Sequence, residues 1–449
     1  MPLNRPRPSV PARPGGSSWI PVALTILAVA WGGNEFTPLL IMYREVSDFS
    51  TLTVNVLLGA YIMGIVPALM VGGRLSDRIG RKPVLLPAAP ISALGSAIMA
   101  LLPGSVLALG AGRILCGIAL GLVMAVGSTW IKELGDAVGD SRPGAAARRS
   151  ANPLTGGFLA GATVAGALAQ WSPWPTTAPY LLHIVLALVA GTLLLRVPET
   201  RHRLVAGGPG SGTGTGTGEA GNGTRSPGAA SEEIGGGATA SGTGARASGS
   251  GRVPGWLWAH FARSVLPIGP WVFTAATVAQ AVLPAALAPV VGGLPIAFAA
   301  LMTVVAMSTG LLGQAWARQL VAAYRNPIWL AMGFMCAGLA LAAWAAASVR
   351  IEIALVAGVV LGAGYGIALV TGLTEVQRIT PDAYLGTVTA VFFSVAYLGF
   401  LAPALLSAVA PWAPYPVALL LGIVLAVACA AISLSSRPKK GGRGRPREA

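Results

Sequence analysis

Hydrophobic and polar positions along this chain do not alternate residue by residue; they fall into long blocks. Apolar runs lie near 19–43, 51–72, 83–103, 105–130, 153–171 and 177–197, and again near 256–284, 291–313, 327–348, 351–375, 386–409 and 414–434. Each is about 20 residues, enough at about 1.5 Å per residue to cross the hydrocarbon of a bilayer as a helix. The pattern predicts an all-α membrane protein with twelve transmembrane helices in two sets of six.

The stretches between the runs differ in kind. Residues 1–18 form a basic leader carrying Arg5, Arg7 and Arg13 among prolines, with no small-residue cleavage site, so the first apolar run reads as a retained helix. Residues 198–255 change abruptly to Gly, Ser, Thr and Ala, including GSGTGTGTG from Gly210, and read as a disordered linker between segments 19–197 and 256–435. Residues 436–449 form a basic tail ending in RPKKGGRGRPREA.

Assigning alternate loops to opposite sides sorts the charge. One side receives the leader, Arg74 to Lys82, Lys132 to Arg149, Arg201, Arg203, Arg318, Arg325, Arg378 and the tail; the other receives little beyond Arg44 and Arg350. Cations collect on the cytoplasmic side of membrane proteins. Both termini and the linker are therefore expected in the cytoplasm, with the helices in the cell (plasma) membrane.

Composition narrows the class. Hydrophobic residues make up 54% of the 449 residues and charged residues only 10%, which a soluble domain of this length does not show. The net charge of +15 sits at the ends of apolar runs, so it argues for membrane topology and against nucleic acid. Cys116, Cys336 and Cys429 are scattered within apolar runs, giving neither a disulfide framework nor a metal site.

The most distinctive polar stretch is GRLSDRIGRKPVLL, Gly73 to Leu86, with two glycines, one carboxylate and four cations between apolar runs. Gly73 and Gly80 would permit sharp turning, Pro83 suits the start of the next helix, and Asp77 is an acid among cations at a helix end. Position by position, Gly73, Leu75, Asp77, Arg78, Gly80, Arg81 and Lys82 resemble motif A of the major facilitator superfamily. That motif belongs to the loop joining helices 2 and 3. The resemblance implies two six-helix bundles around a central cavity, alternating access, and a conformational switch at Gly73, Asp77, Arg78, Gly80, Arg81 and Lys82. The corresponding stretch of the second half, GQAWARQLVAAYRNP from Gly313, has no acid and no Gly-Arg-Lys.

Transport against a gradient needs an energy source. No phosphate loop is present: Lys82, Lys132, Lys439 and Lys440 follow no such glycine pattern, so no nucleotide or other cofactor is expected. A carboxylate inside the membrane is the alternative, as a proton carrier. Glu35 is the clear case, lying in WGGNEFTPLL of the first run beside Asn34, with Gly32, Gly33 and Pro38 marking a place of bending or close approach.

Arg113, in LGAGRILCGIALG, is its expected partner, because both charges lie about 12 Å below the same end of their helices. Burial favours a neutral carboxyl and a nearby guanidinium favours the carboxylate, so wetting or a cationic substrate could move the proton. A permanent ion pair that only fixes helix packing is the structural alternative. Arg113 with Gly117 and Gly121 resembles the family's motif B, whose embedded arginine is associated with proton coupling.

GGFLAGATVAGALAQ, with Gly157, Gly161 and Gly166, resembles the glycine-rich motif C of the antiporters, with Ala162 where that motif has proline. Ordinary close helix packing explains such spacing equally well. Asn34, Asn55, Tyr61, Gln280 and Tyr365 are candidates to line the cavity. His183 invites a proton-relay role but reads more readily as an interfacial histidine, and Trp171, Trp174 and Tyr180 read as an aromatic belt; Glu375 and Arg378 stand where gating contacts could form but read more readily as a solvated helix end. Pro198-Glu199-Thr200 resembles a family landmark after helix 6.

The resemblance is strongest to the drug/proton antiporter branch. It implies a monomeric, non-enzymatic, proton-coupled exporter of small organic compounds, drug-like or metabolite-like. The alternative is a proton-coupled importer of a small organic solute. A receptor would not need motif A, and no His, Asp or Ser constellation gathers at a membrane face for an enzyme.

Overall fold

The computed structural model describes residues 17–140, 145–200, 253–323, 328–381 and 384–435. Nearly all of the leader, the bulk of the linker with Arg201 and Arg203, Arg325 and the basic tail lie outside the described residues. The first six helices are α1 (Trp19–Val46), α2 (Thr51–Ile79), α3 (Arg81–Leu101), α4 (Val106–Ala137), α5 (Ala145–Trp171) and α6 (Ala178–Leu194). The remaining six are α7 (Gly255–Val290), α8 (Pro295–Ala323), α9 (Ile328–Ser348), α10 (Ile351–Ile379), α11 (Leu385–Val409) and α12 (Tyr415–Ser435). No strand occurs among the described residues.

Ten of these helices are long and apolar enough to cross a membrane. The other two fall short for different reasons. The 27-residue α5 is long enough, but its arginine-free stretch is diluted by Thr155, Gly156, Gly157, Gly161, Thr163, Gly166 and Gln170, whereas apolar α6 has only 17 residues.

Helix ends reach past the apolar runs, and this revises the reading of motif A. α2 continues to Ile79, so Gly73 lies within a helix with no atom within 4 Å of where a Cβ would stand. Turning is left to Gly80, whose φ of 108° is a left-handed value that a side chain disfavours. Pro83 occupies the third position of the Arg81–Leu85 turn, not the first. The start of α2 is set by Ser50, whose Oγ accepts from the Thr53 N–H at 3.1 Å, and Ser105 does the same for α4 through Ala108 at 3.3 Å.

Several helices are interrupted near a proline, which removes a backbone donor, and three of these breaks bear on the interior. α1 breaks at Glu35, ahead of Pro38. α7 widens into a π-helical turn at Val278–Val282, ahead of Pro284. α11 tightens into a 3-10 turn at Leu398–Leu401, ahead of Pro403; the Gly399 carbonyl, four residues before that proline, instead accepts from Thr277 Oγ1 of α7 at 3.1 Å.

Two seams of small residues hold neighbouring helices closest. A methyl at Gly64 of α2 would overlap the Ile114 carbonyl oxygen of α4, and one at Gly117 would overlap the Tyr61 carbonyl oxygen. In the second half, Gly366 of α10 stands in the same relation to the Gly310 carbonyl oxygen of α8. α1 lies along α5, and α3 along α4 and α6; α9 lies against α10 and α12. The halves meet where α8 touches α5 and α1, and where α11 touches α2.

Large apolar side chains such as Met63, Leu107, Leu312 and Val424 stand exposed on the perimeter. That is the arrangement of a protein whose surroundings are hydrocarbon, with the polar groups gathered inside.

Candidate functional site

Glu35 is completely buried at the break in α1. Its Oε1 accepts from Ser96 Oγ of α3 at 2.9 Å, and its Oε2 has no hydrogen-bond partner. Asn34 is tied down: its Nδ2 donates to the Phe158 carbonyl of α5 at 3.0 Å, and its Oδ1 accepts from Thr37 Oγ1 at 2.9 Å. The segment holding the carboxyl is thus clamped to α3 and α5.

Arg113 is equally buried but forms no direct ion pair with Glu35 in this structure. Its Nη1 donates to the Gly33 carbonyl at 3.2 Å and its Nη2 to the Leu58 carbonyl at 3.5 Å. The guanidinium lies over two rings, 4.3 Å from the Tyr61 centroid and 4.8 Å from that of Phe36. A desolvated cation over an aromatic face gains about 2 kcal/mol. The expected partners are therefore brought to one place, two residues apart along α1, with the cation held by carbonyl dipoles and rings.

Gly32 and Gly33 make room for this. A methyl at Gly33 would overlap the Tyr61 hydroxyl, and one at Gly32 would overlap the imidazole of His183. His183 is not interfacial: it is fully buried in α6, with Nδ1 2.7 Å from Ser96 Oγ and 3.5 Å from Glu35 Oε1. Sequence reading missed Ser92, Ser96 and His183 as neighbours of Glu35. The available signal was the glycine pair, which asks for something bulky opposite.

Tyr180 is likewise buried and leaves the aromatic belt, its hydroxyl paired with that of Tyr43 at 2.8 Å; Trp171 and Trp174 remain exposed. The Tyr61 hydroxyl, Arg113 Nε and Trp31 Nε1 are buried without partners. Each such group costs about 1–3 kcal/mol, and their gathering around one helix break makes that break the candidate site.

The other candidates separate. Asn55 donates from α2 to the Pro403 carbonyl at 3.3 Å and to Ser407 Oγ of α11 at 2.7 Å. Asn55 and Gln280 also line a small pocket with Thr37, Arg44 and Pro284. Both thus sit in a closed seam between the halves, at the end away from motif A. Tyr365 joins Phe273, Tyr397 and Phe400 in an aromatic cluster that reaches Tyr61, with Phe273 and Tyr397 buried and their centroids 4.6 Å apart.

The glycines of α5 serve close approach. Gly157 faces the Leu27 carbonyl and Gly161 the Trp31 carbonyl of α1, while Gly166 meets Ala300 of α8 across the halves.

At the motif end, Arg81 is the hub. Its Nη1 donates to Ser76 Oγ at 2.7 Å and Asp77 Oδ1 at 2.8 Å, and its Nε and Nη2 donate to Glu133 Oε1 of α4 at 3.1 and 2.9 Å. Glu199 accepts from the backbone N–H groups of Arg81 and Lys82 at 3.0 and 2.8 Å. Lys82 Nζ in return donates to the Leu195 and Val197 carbonyls at 2.7 and 2.9 Å. The landmark after helix 6 thus caps α3 while Lys82 caps α6. Gly73 joins this knot through its carbonyl, which accepts from Ser76 Oγ at 3.0 Å, while Arg74 and Arg78 stand outside it. Far from solvated, Glu375 is buried and paired with Arg378 at 2.5 Å.

The chain matches the Major Facilitator Superfamily over residues 20–404. It belongs to that family. It is therefore a multi-pass membrane transporter, and its work is transport, not catalysis. Among solved structures it is similar to the nucleoside transporter NupG, at 12% identity and a TM-score of 0.65, covering 94% of this chain and 100% of that one. It is also similar to a D-xylose-proton symporter, at 18% identity and a TM-score of 0.60, covering 93% of this chain and 95% of that one. A bacterial homolog to the human lysosomal transporter Spinster, inward-facing and unoccupied, shares 12% identity at a TM-score of 0.60 over 94% of this chain and 98% of that one. At these identities the likeness is one of fold. A search of curated proteins finds no match.

Proposed function

We propose that this superfamily member is a proton-coupled secondary transporter exporting small organic compounds, drug-like or metabolite-like, by alternating access. The observation that carries the reading is Glu35: a wholly buried carboxyl, one oxygen held by Ser96 and the other unpartnered, two residues from a carbonyl that binds a buried guanidinium. Burial favours the uncharged carboxyl and Arg113 favours the carboxylate. Water or a cationic substrate reaching the site would tip that balance and tie proton movement to cavity opening.

In this reading all twelve helices cross the membrane, α1–α6 and α7–α12 act as two bundles, and the protein works as a monomer in the cell membrane. Both termini and the motif end face the cytoplasm, which Arg74, Arg78, Lys132 and Arg148 around that end support. Asn55–Ser407 and the Gln170 contacts to Gly293 and Ala297 close the opposite end. The present state would then open toward the cytoplasm, with Arg81, Asp77 and Glu133 helping to set which state prevails.

The test is accumulation of a panel of toxic organic compounds in cells with and without the protein, with and without a protonophore. Lower accumulation that the protonophore abolishes supports export. Higher accumulation reverses the direction and makes the chain an importer. Undiminished dependence on the pH gradient in Glu35→Gln would end the proton-carrier role.

A further inference from the structure

His183 has both ring nitrogens engaged, and the protons these contacts require can be counted. Nε2 lies 3.1 Å from the Ala28 carbonyl, which can only accept, so Nε2 carries a hydrogen. Nδ1 lies 2.7 Å from Ser96 Oγ, and the same Oγ lies 2.9 Å from Glu35 Oε1. Ser96 has one proton and cannot donate to both neighbours. A second proton must sit at one end of the chain.

Two arrangements satisfy both contacts. In one, the Glu35 carboxyl is protonated and donates to Ser96 Oγ, which donates to Nδ1 of a neutral ring. In the other, Nδ1 of an imidazolium donates to Ser96 Oγ, which donates to the Glu35 carboxylate. The first becomes the second when the Glu35 proton passes to Ser96 Oγ as the Ser96 proton passes to Nδ1, with no proton gained or lost. Remove one proton from the trio and two lone pairs face each other across one of the contacts.

We propose that Glu35, Ser96 and His183 form a single proton site, a relay across α1, α3 and α6, whose discharge releases Ser96 from one of its two partners. It rests on the proposed proton coupling only for its part in transport; the shared proton is a property of the site itself. α1 is shaped for it, since a side chain at Gly32 would fill the space the imidazole occupies. Ser92 Oγ, 3.4 Å from Nε2, steadies the ring.

The groups facing the trio are few. Arg113 and Cys116 come from α4, Tyr61 from α2, Tyr43 from α1 and Tyr180 from α6, the last two bonded to each other. Arg113 is the fixed cation among them, so the trio is where a mobile proton can reside. A satisfied core histidine would need a carbonyl for one nitrogen and a donor for the other. It would not need a hydroxyl shared with an otherwise half-partnered buried carboxyl.

The test uses the full chain in lipid nanodiscs, titrated with pH. The Glu35 carboxyl is followed by its infrared band, assigned by its loss in Glu35→Gln. The His183 ring is followed by nitrogen NMR, assigned with His183→Gln. A shared site makes the carboxyl band and the Nδ1 resonance respond at one midpoint in the native protein, with the neutral ring protonated on Nε2. In Ser96→Ala the two responses separate, and the Glu35 midpoint moves by about one pH unit or more, a tenfold change in proton affinity.

An Nδ1 resonance that stays silent while Glu35 titrates overturns the relay, and so does an unmoved midpoint in Ser96→Ala. Should Ser96→Ala fail to fold, the native titration decides alone. Persistence of proton-driven transport in Glu35→Gln would remove the transport role and leave the shared titration intact. Loss of coupling in Glu35→Gln with independent titrations would remove the relay alone.

Discussion

The two halves of this transporter are built on similar helix seams and filled with different chemistry. In α1–α6 the interior holds Glu35, Arg113 and His183, with Asn34, Ser92 and Ser96 around them. In α7–α12 the described interior is aromatic and aliphatic; its buried polar side chains are hydroxyls (Ser264, Thr277, Thr303, Thr371, Thr380, Thr389, Ser407 and Ser433) and the Gln280 amide, and its one buried carboxylate among the described residues, Glu375, is paired at the end of α10. Hydrogen-bond partners of Glu35, Arg113 and His183 all come from the first half: Ala28, Gly33, Leu58, Ser92 and Ser96.

The difference teaches where a charge can be kept in a molecule that moves. A buried ion is tolerable only while its donors and acceptors stay in place, so its partners belong on the helices that travel with it. In the proposed alternating access the surface between halves separates and reforms. It is made instead of contacts that are cheap to break, such as Tyr61 with Phe400, Gly166 with Ala300 and the Tyr397 hydroxyl with Met124 Sδ at 3.1 Å.

Joining the halves should have the largest effect. In Asn55→Cys with Ser407→Cys, oxidation should form a cross-link and stop transport completely, with activity returning on reduction. Continued transport by the cross-linked protein would mean that this seam does not open.

Next come the shared seams. Gly117→Val and Gly366→Val drive a side chain into a facing carbonyl oxygen and should each cost about 3 kcal/mol or more, read as lost monodisperse protein and a lowered melting temperature. Equal effects in both halves support equivalent seams; a tolerated Gly366→Val would break the parallel.

Removing chemistry should be unequal. Arg113→Met is expected to destabilise by about 3 kcal/mol and reduce transport at least about tenfold, because the Gly33 and Leu58 carbonyls lose a buried charged donor. Arg113→Lys should not restore it, since a compact ammonium cannot lie flat over Tyr61 and Phe36. Tyr397→Phe in the second half should stay within about 1 kcal/mol of the native protein.

The smallest effects lie at the motif end. Glu133→Gln, which weakens two contacts to the nearly buried Arg81 side chain, should cost about 1 kcal/mol. Asp77→Asn, more than half exposed and one helical turn from Arg81, should cost at most about 0.5 kcal/mol in thermal unfolding. A larger loss there would show that Asp77 is held by more than this pair.

Hydropathy is a local, additive property, so the order of the helices was legible from the sequence alone, although two of the twelve expected spans, α5 and α6, fall short of the length or apolarity to cross a membrane. Motif A was legible for a similar reason, its glycines, acid and cations falling within a dozen consecutive residues. Glu35 and Arg113 stood out because charge inside an apolar run is costly wherever the run goes.

Only the tertiary structure decided which groups meet. Ser96 is 61 residues from Glu35, His183 is 87 from Ser96, and Glu199 is 118 from Arg81. Nothing in the local spacing of a buried serine or histidine says which way its side chain turns. That is settled when α1, α3, α4 and α6 pack, and when Gly32 and Gly33 leave space for what stands opposite.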